Sequence, residues 1–137
     1  MKVLIDTNVA LDILLKRQDF ANAFAVFKLT EAKIIHGFIS ASAITDIFFL
    51  SKNDLGKKSA KEALKNLLQV FQPASVTDNH IFQALDLDWN DFEDSVQYVV
   101  GESFEADYIV TRNTRDYTSG SIPAITPENF IKAIAVI

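Results

Sequence analysis

The apolar positions of this chain fall into short unbroken runs set between longer amphipathic stretches. Val3-Leu4-Ile5 is such a run, and Asp6-Thr7-Asn8 follows it at once. The pattern predicts a buried strand over Lys2–Ile5 and a helix from Asp6 through Val9, Leu11, Ile13, Leu14 and Leu15 to about Lys16. Asp107–Val110 reads the same way, a strand ending at Thr111-Arg112-Asn113. Between them the spacing predicts a helix over Ala21–Glu31, a short strand over Lys33–His36 closed by Gly37, and a helix over Ala41–Ser51 capped by Ser40 or Ser42. Asn53–Gly56 reads as a loop. Lys57–Val70 is an amphipathic helix with Ala60, Leu64, Leu67 and Leu68 inward. Pro73 ends it, Ala74–Val76 is a strand candidate, and Asp78 caps a helix over Asn79–Leu87. A helix over Asp91–Ser103 and a strand-like piece between Pro123 and Pro127 follow, with Pro127 opening the last helix at its favoured position. Strands alternate with helices, and the clearest strands are apolar on both faces. That is the signature of an α/β fold with a mostly parallel sheet covered on each side.

Length and composition narrow the class. The 137 residues fit one domain over 1–137, and 49% hydrophobic content supplies a core. No apolar run reaches the roughly 18 residues of a membrane span, and the opening run is too short for a secretory leader. The chain has no cysteine, which excludes disulfides and thiolate metal sites; the expected compartment is the cytoplasm. A net charge of −5 speaks against broad electrostatic attraction to nucleic acid. A nucleic-acid enzyme of this composition needs its acids gathered on a metal and its bases elsewhere.

Ligands of open α/β sheets bind beyond the carboxyl ends of the strands. Asp6-Thr7-Asn8 and Thr111-Arg112-Asn113 stand at two such ends. Asp6 also suits a plain helix cap. Asp46 lies in Ile44-Thr45-Asp46-Ile47-Phe48-Phe49-Leu50, a helix apolar almost all round and so expected to be buried; a carboxylate there needs a partner or a metal. Asp91-Phe92-Glu93-Asp94 opens a helix, where acids also suit the macrodipole. Asp94 faces away from Phe92, Val96 and Val99 and can reach a site. Asp116 follows Asn113 by three positions in a tight turn. Asp12 reads as structural, paired with Lys16 or Arg17. Oxygen-only ligands of this kind suit Mg²⁺ or Mn²⁺, and carboxylates crowd together only with a cation or with raised pKa values. His36 and His80 are isolated and read as non-functional.

At these residues the chain resembles the PIN-domain superfamily, and within it the small bacterial VapC-type toxins of toxin–antitoxin pairs. The resemblance rests on Val3–Val9, Ile39–Ile47, Asp91–Gln97 and Ala106–Asn113 running on to Asp116-Tyr117, four pieces in order along nearly the whole chain. It implies a three-layer sandwich whose central parallel sheet has four or five strands. It also implies a Mg²⁺- or Mn²⁺-dependent endoribonuclease leaving a 5′-phosphate, a cognate antitoxin and a homodimer. Carried over residue by residue, Asp6 is the first acid and Asp46 stands where the family usually has Glu. Asp94 is the helical ligand, and Asn113 or Asp116 fills the fourth position, Asp116 being the charged choice. The catalytic and metal-binding set is then Asp6, Asp46, Asp94 and Asp116.

Asn8, Thr111, Arg112, Asn113 and Arg115 surround that set and are the expected substrate contacts, the arginines because guanidinium binds phosphate in bidentate fashion. Lys57, Lys61 and Lys65 form a basic stripe that reads either as a phosphate track or as a solvated helix face. Two rivals remain. A haloacid-dehalogenase-like phosphatase wants a second Asp two positions after the first, and Asn8 stands there. A non-catalytic PIN domain would bind RNA or protein without cutting.

Overall fold

Val3, Leu4 and Ile5 are wholly buried, yet they feed two different cores, because successive residues of a strand point to opposite faces. The computed structural model describes residues 1–135. Strand β1 (Lys2–Ile5) is the middle of a five-stranded sheet with β2 (His36–Ser40), β3 (Gln72–Ala74), β4 (Tyr108–Val110) and β5 (Ala124–Ile125), in the order β3-β2-β1-β4-β5. Every pairing is parallel: Leu4 lies opposite Phe38 on one side and Ile109 on the other. Val3 and Ile5 face a core built from α1 (Thr7–Leu15), α2 (Phe20–Glu31), α3 (Ala41–Leu55), α4 (Lys57–Leu68) and α7 (Pro127–Ala135). Leu4 and Ile109 face the other core, made by α5 (Asp78–Asp86), α6 (Phe92–Ser103) and the 3-10 turn Thr114–Tyr117. The chain is therefore the expected α/β three-layer arrangement, a parallel sheet between helices.

Several boundaries differ from the sequence pattern. Strand β2 starts where the apolar run Ile34-Ile35 ends and passes through Gly37 instead of stopping there. A Cβ on Gly37 would stand 2.6 Å from Phe71 Cδ1, so the bare backbone at this point admits the buried Phe71 ring. Strand β3 lies earlier than Ala74–Val76 and contains Pro73, which an edge strand tolerates. Helix α3 runs on through Asn53-Asp54-Leu55 and breaks at Gly56, whose φ of 80° lets one residue end α3 and begin α4. Thr77, not Asp78, caps α5: its hydroxyl accepts from the His80 backbone, and His80 Nδ1 accepts from the Thr77 backbone N–H. Helix α3 is not buried all round, since Phe49 is 62% and Leu50 42% exposed; Asp46 is only half-buried.

A candidate metal-binding active site

The order β3-β2-β1-β4-β5 puts the carboxyl ends of β1 and β4 side by side, and the polar residues after them are joined directly. Asp6 ends β1 and caps α1: its Oδ1 accepts from the Thr7 backbone N–H at 2.7 Å. The same carboxylate accepts from Gln97 Nε2 at 2.6 Å, from Thr111 Oγ1 at 2.8 Å and from Asn8 Nδ2 at 3.3 Å. Four donors on one carboxylate, itself only 6% exposed, occupy about all of its four lone-pair positions. Asn8 Oδ1 in turn accepts from the Arg112 backbone N–H, and Thr111 Oγ1 from that of Asn113. Asn8 and Thr111 thus tie the two strand ends together.

Arg112 lies elsewhere. Its Nε stands 3.0 Å from Oδ2 of Asp12, whose side chain is wholly buried in α1. The N–H is poorly aimed, so neither Asp12 oxygen makes a well-formed hydrogen bond among the described residues. Burial pushes the Asp12 carboxyl up, and the Arg112 charge opposes that rise. The structural reading of Asp12 holds, but its partner is Arg112 and not Lys16 or Arg17.

Helix α6 supplies the rest. Asp91 caps it through the Asp94 backbone N–H, which places Glu93 and Asp94 in the first turn beneath the ends of β1 and β2. Gln97, one turn on, is buried; while its amide donates to Asp6, its Oε1 accepts from Ser40 Oγ at the end of β2 at 3.4 Å. Tyr117 O–H, from the 3-10 turn, donates to Asp94 Oδ1 at 3.4 Å.

A cleft of about 480 Å³ opens over these groups. It brings together Asp6, Asp46, Asp94 and Asp116, with Asn8 and Asn113 on its wall and Phe49 and Leu50 on its rim. Thr111, Arg112 and Arg115 do not line it. Glu93 and Arg17 do, and neither was singled out by the sequence pattern, in which Glu93 looked like one more first-turn acid. Gln97 and Tyr117 were also missed. The signal for Gln97 was a lone amide inside Ser95-Val96-Gln97-Tyr98-Val99-Val100, a buried polar group that requires partners. A hollow of similar size, about 490 Å³, lies at the amino ends of β2 and β3 near Lys33 and His36, far from any such convergence of acids. None of the α4 lysines lines either cavity.

The acids repel one another. Burial and the charges of Asp91, Asp6 and Asp116 push Asp94 up to about 7, against the hydrogen bond from Tyr117. Glu93 also rises to about 7, chiefly through a hydrogen bond shared with Asp46, then through burial and the Asp46, Asp91 and Asp6 charges. Burial, then Asp6 and Asp94, keep the Tyr117 phenol protonated far above its ordinary range. Both acids bind protons more tightly folded than unfolded. The stability this adds is whole below pH about 4 and is lost as pH rises to about 7. We expect the metal-free protein to lose melting temperature across that window relative to a Glu93→Gln/Asp94→Asn double variant. Calorimetric scans in chelator measure the gap, and a gap constant with pH would refute the repulsion.

No group of three or more His, Asp or Glu side chains among the described residues is set to hold a metal ion in this conformation. The reason is visible. Four donors hold Asp6, Asp46 and Glu93 stand against each other, and Asp94 is turned onto Tyr117. The chemistry of the donors nevertheless fits Mg²⁺ or Mn²⁺: the groups are all oxygen, and their excess negative charge is relieved only by protons or a cation.

A parallel sheet with an acid-lined cleft at its carboxyl edge defines a known class of domain. A family model described as PIN domain matches residues 2–115, and the chain belongs to that family. Comparison with curated proteins gave no match. Among solved structures, VapBC2 from Rickettsia felis bound to a promoter DNA fragment is similar at 14% identity and a TM-score of 0.71. That match covers 92% of this chain and 98% of that one. The sarcin–ricin-loop-cleaving toxin VapC20 of Mycobacterium tuberculosis is 16% identical with a TM-score of 0.69, covering 86% and 95%. A toxin–antitoxin complex from Klebsiella pneumoniae is 20% identical with a TM-score of 0.69, covering 91% and 97%. The chain has the fold of the VapC-type toxins.

Proposed function

We propose that this chain is a divalent-metal-dependent endoribonuclease, the toxin of a toxin–antitoxin pair. The observation that carries the reading is the convergence of Asp6, Asp46, Asp94 and Asp116 from four separate elements on one cleft, where burial and the charges of Asp91, Asp6 and Asp116 hold Asp94 near 7. Asp6, on giving up the long 3.3 Å hydrogen bond from Asn8, and Asp94 are the groups that would hold Mg²⁺ or Mn²⁺, with Asp46 and Asp116 available to orient its water. Bound there, such an ion lowers the pKa of a water and stabilises charge on a phosphoryl group. The chain's own contribution is to fix the acids. Gln97, Thr111 and the α1 amide hold Asp6 in one orientation, and Tyr117 holds Asp94. Water attacks phosphorus, the bond to the 3′-oxygen breaks, and the products are a 3′-hydroxyl and a 5′-phosphate.

RNA, an antitoxin and a second copy of the chain are the proposed partners, and the cytoplasm the proposed compartment. Similar folds occur in toxin–antitoxin complexes. The exposed Phe49 and Leu50 beside the acids offer an apolar rim that a bound antitoxin segment would cover. No helix among the described residues is long and apolar enough to cross a membrane. The test is incubation with a panel of end-labelled single-stranded RNAs in Mg²⁺, Mn²⁺ or chelator. Cleavage with either metal and none in chelator is the expected result. Binding of RNA or a partner protein, with no cleavage in any metal, would instead place the chain among non-catalytic members.

A further inference from the structure

Beside the acid-lined cleft lies a second and smaller one, about 250 Å³, whose walls include Asp88, Trp89, Asn90, Arg115 and Thr118. The two clefts share Asp91, Asp94 and Asp116, so the carboxylates form a ridge between two compartments. The larger contains Arg17 and the smaller Arg115. Arg112, Asn8 and Thr111 are engaged within the fold, whereas Arg115 and Asn90 are exposed and make no ion pair or side-chain hydrogen bond among the described residues. Trp89 is half-buried, its ring packed against Tyr98 at 4.8 Å and edge-on to Tyr117 at 6.2 Å. Its position is fixed, and part of its surface faces the small cleft.

A phosphodiester lying across the ridge must carry its neighbouring nucleotide into the adjoining compartment. Single-stranded RNA is recognised by splaying a base onto an aromatic surface and hydrogen-bonding its edge. Of the groups available for that edge, the Asp88 carboxylate only accepts hydrogen bonds, while the Asn90 amide both accepts and donates. Carboxylate acceptors select bases that present an exocyclic amino group. We propose that the small cleft is a nucleotide subsite. In it Trp89 is the platform, Asp88 selects an amino-bearing base next to the cut, Asn90 contacts the same edge, and Arg115 contacts a phosphate. This rests on the nuclease reading for its place in a reaction, but base binding is measurable without cleavage.

Trp89 is the chain's single tryptophan, so the fluorescence arises at this cleft and at the Tyr98 and Tyr117 rings packed behind it. Cytidine and uridine 5′-monophosphates, which present there an amino group and a carbonyl oxygen respectively, are titrated in Mg²⁺ against wild type, an Asp88→Ala/Asn90→Ala variant and Arg115→Ala. Cytidine monophosphate is expected to quench saturably and to bind about tenfold more tightly than the uridine nucleotide, the scale of one good base-edge contact. The double variant should erase that preference, while Arg115→Ala should weaken both nucleotides alike. Absence of saturable quenching by either nucleotide up to about 10 mM, the weak limit for a single contact, overturns the subsite. A preference that survives the double variant also overturns it. The RNA panel described above reports separately on cleavage, so failure of the nuclease and failure of the subsite give different results.

Discussion

Asp94→Asn should abolish metal-dependent RNA cleavage while raising the melting temperature of the metal-free protein at neutral pH. The first effect is a loss of about a thousandfold or more, on the several kcal/mol that a bound metal supplies at a phosphoryl oxygen. The second follows from the site's own repulsion. Asp94 is held near 7 by burial and by Asp91, Asp6 and Asp116, so a neutral amide removes a conflict and retains an acceptor for Tyr117. Asp6→Asn should lose cleavage to the same degree but lower the melting temperature. Its carboxylate accepts four hydrogen bonds, and an amide nitrogen placed there would meet either the Gln97 amide and the Thr7 N–H or the Thr111 and Asn8 donors. A donor left facing donors costs about 1–3 kcal/mol. Paired cleavage assays and thermal melts in chelator measure both. If the two variants shift stability in the same direction, the division between a strained acid and an anchored one is wrong.

Arg112→Ala should destabilise the fold by about 2 kcal/mol, below the roughly 3–5 of a fully buried pair because the Arg112 side chain is 37% exposed and partly screened. The cost arises at Asp12, whose wholly buried carboxylate loses the cation 3.0 Å from it. Two further results follow. The loss should shrink as pH falls, because burial already favours the protonated Asp12 and the missing Arg112 charge no longer opposes it. An Asp12→Asn/Arg112→Ala double variant should recover part of the loss. Urea unfolding at several pH values measures all three. A cost under about 0.5 kcal/mol, ordinary for a surface change, would mean that the pair does not hold α1 to the loop after β4.

What the sequence disclosed follows from which forces are local. Val3-Leu4-Ile5 and Tyr108-Ile109-Val110 were legible as strands because burial on both faces removes alternation, and Asp6 was legible as an acid at a strand end. The four carboxylates were grouped by resemblance and chemistry; the structure brings them to one cleft. Strand β2 was misplaced because Gly37 resembles a stop signal, and nothing local shows that Phe71 packs against it. Glu93 was passed over because first-turn acids are common, and only the fold sets it against Asp46. Arg112 looked like a phosphate contact because it stands beside the site in sequence; its side chain crosses to Asp12, a pairing over a hundred residues that no spacing rule reveals.

The central place of β1 also has a consequence in time. Its hydrogen-bonded neighbours are β2, some 34 positions along the chain, and β4, some 105 positions along. Pairings across such separations close large loops and form late. Asp6 is made 105 residues before Thr111, which fixes its carboxylate, and Asp116 comes later still. A partly made chain therefore carries most of its acids without the frame that orients them. The cleft needs residues 108–110 docked against residues 3–5, so a nascent chain that stops short of β4 carries the first acids without the site they form.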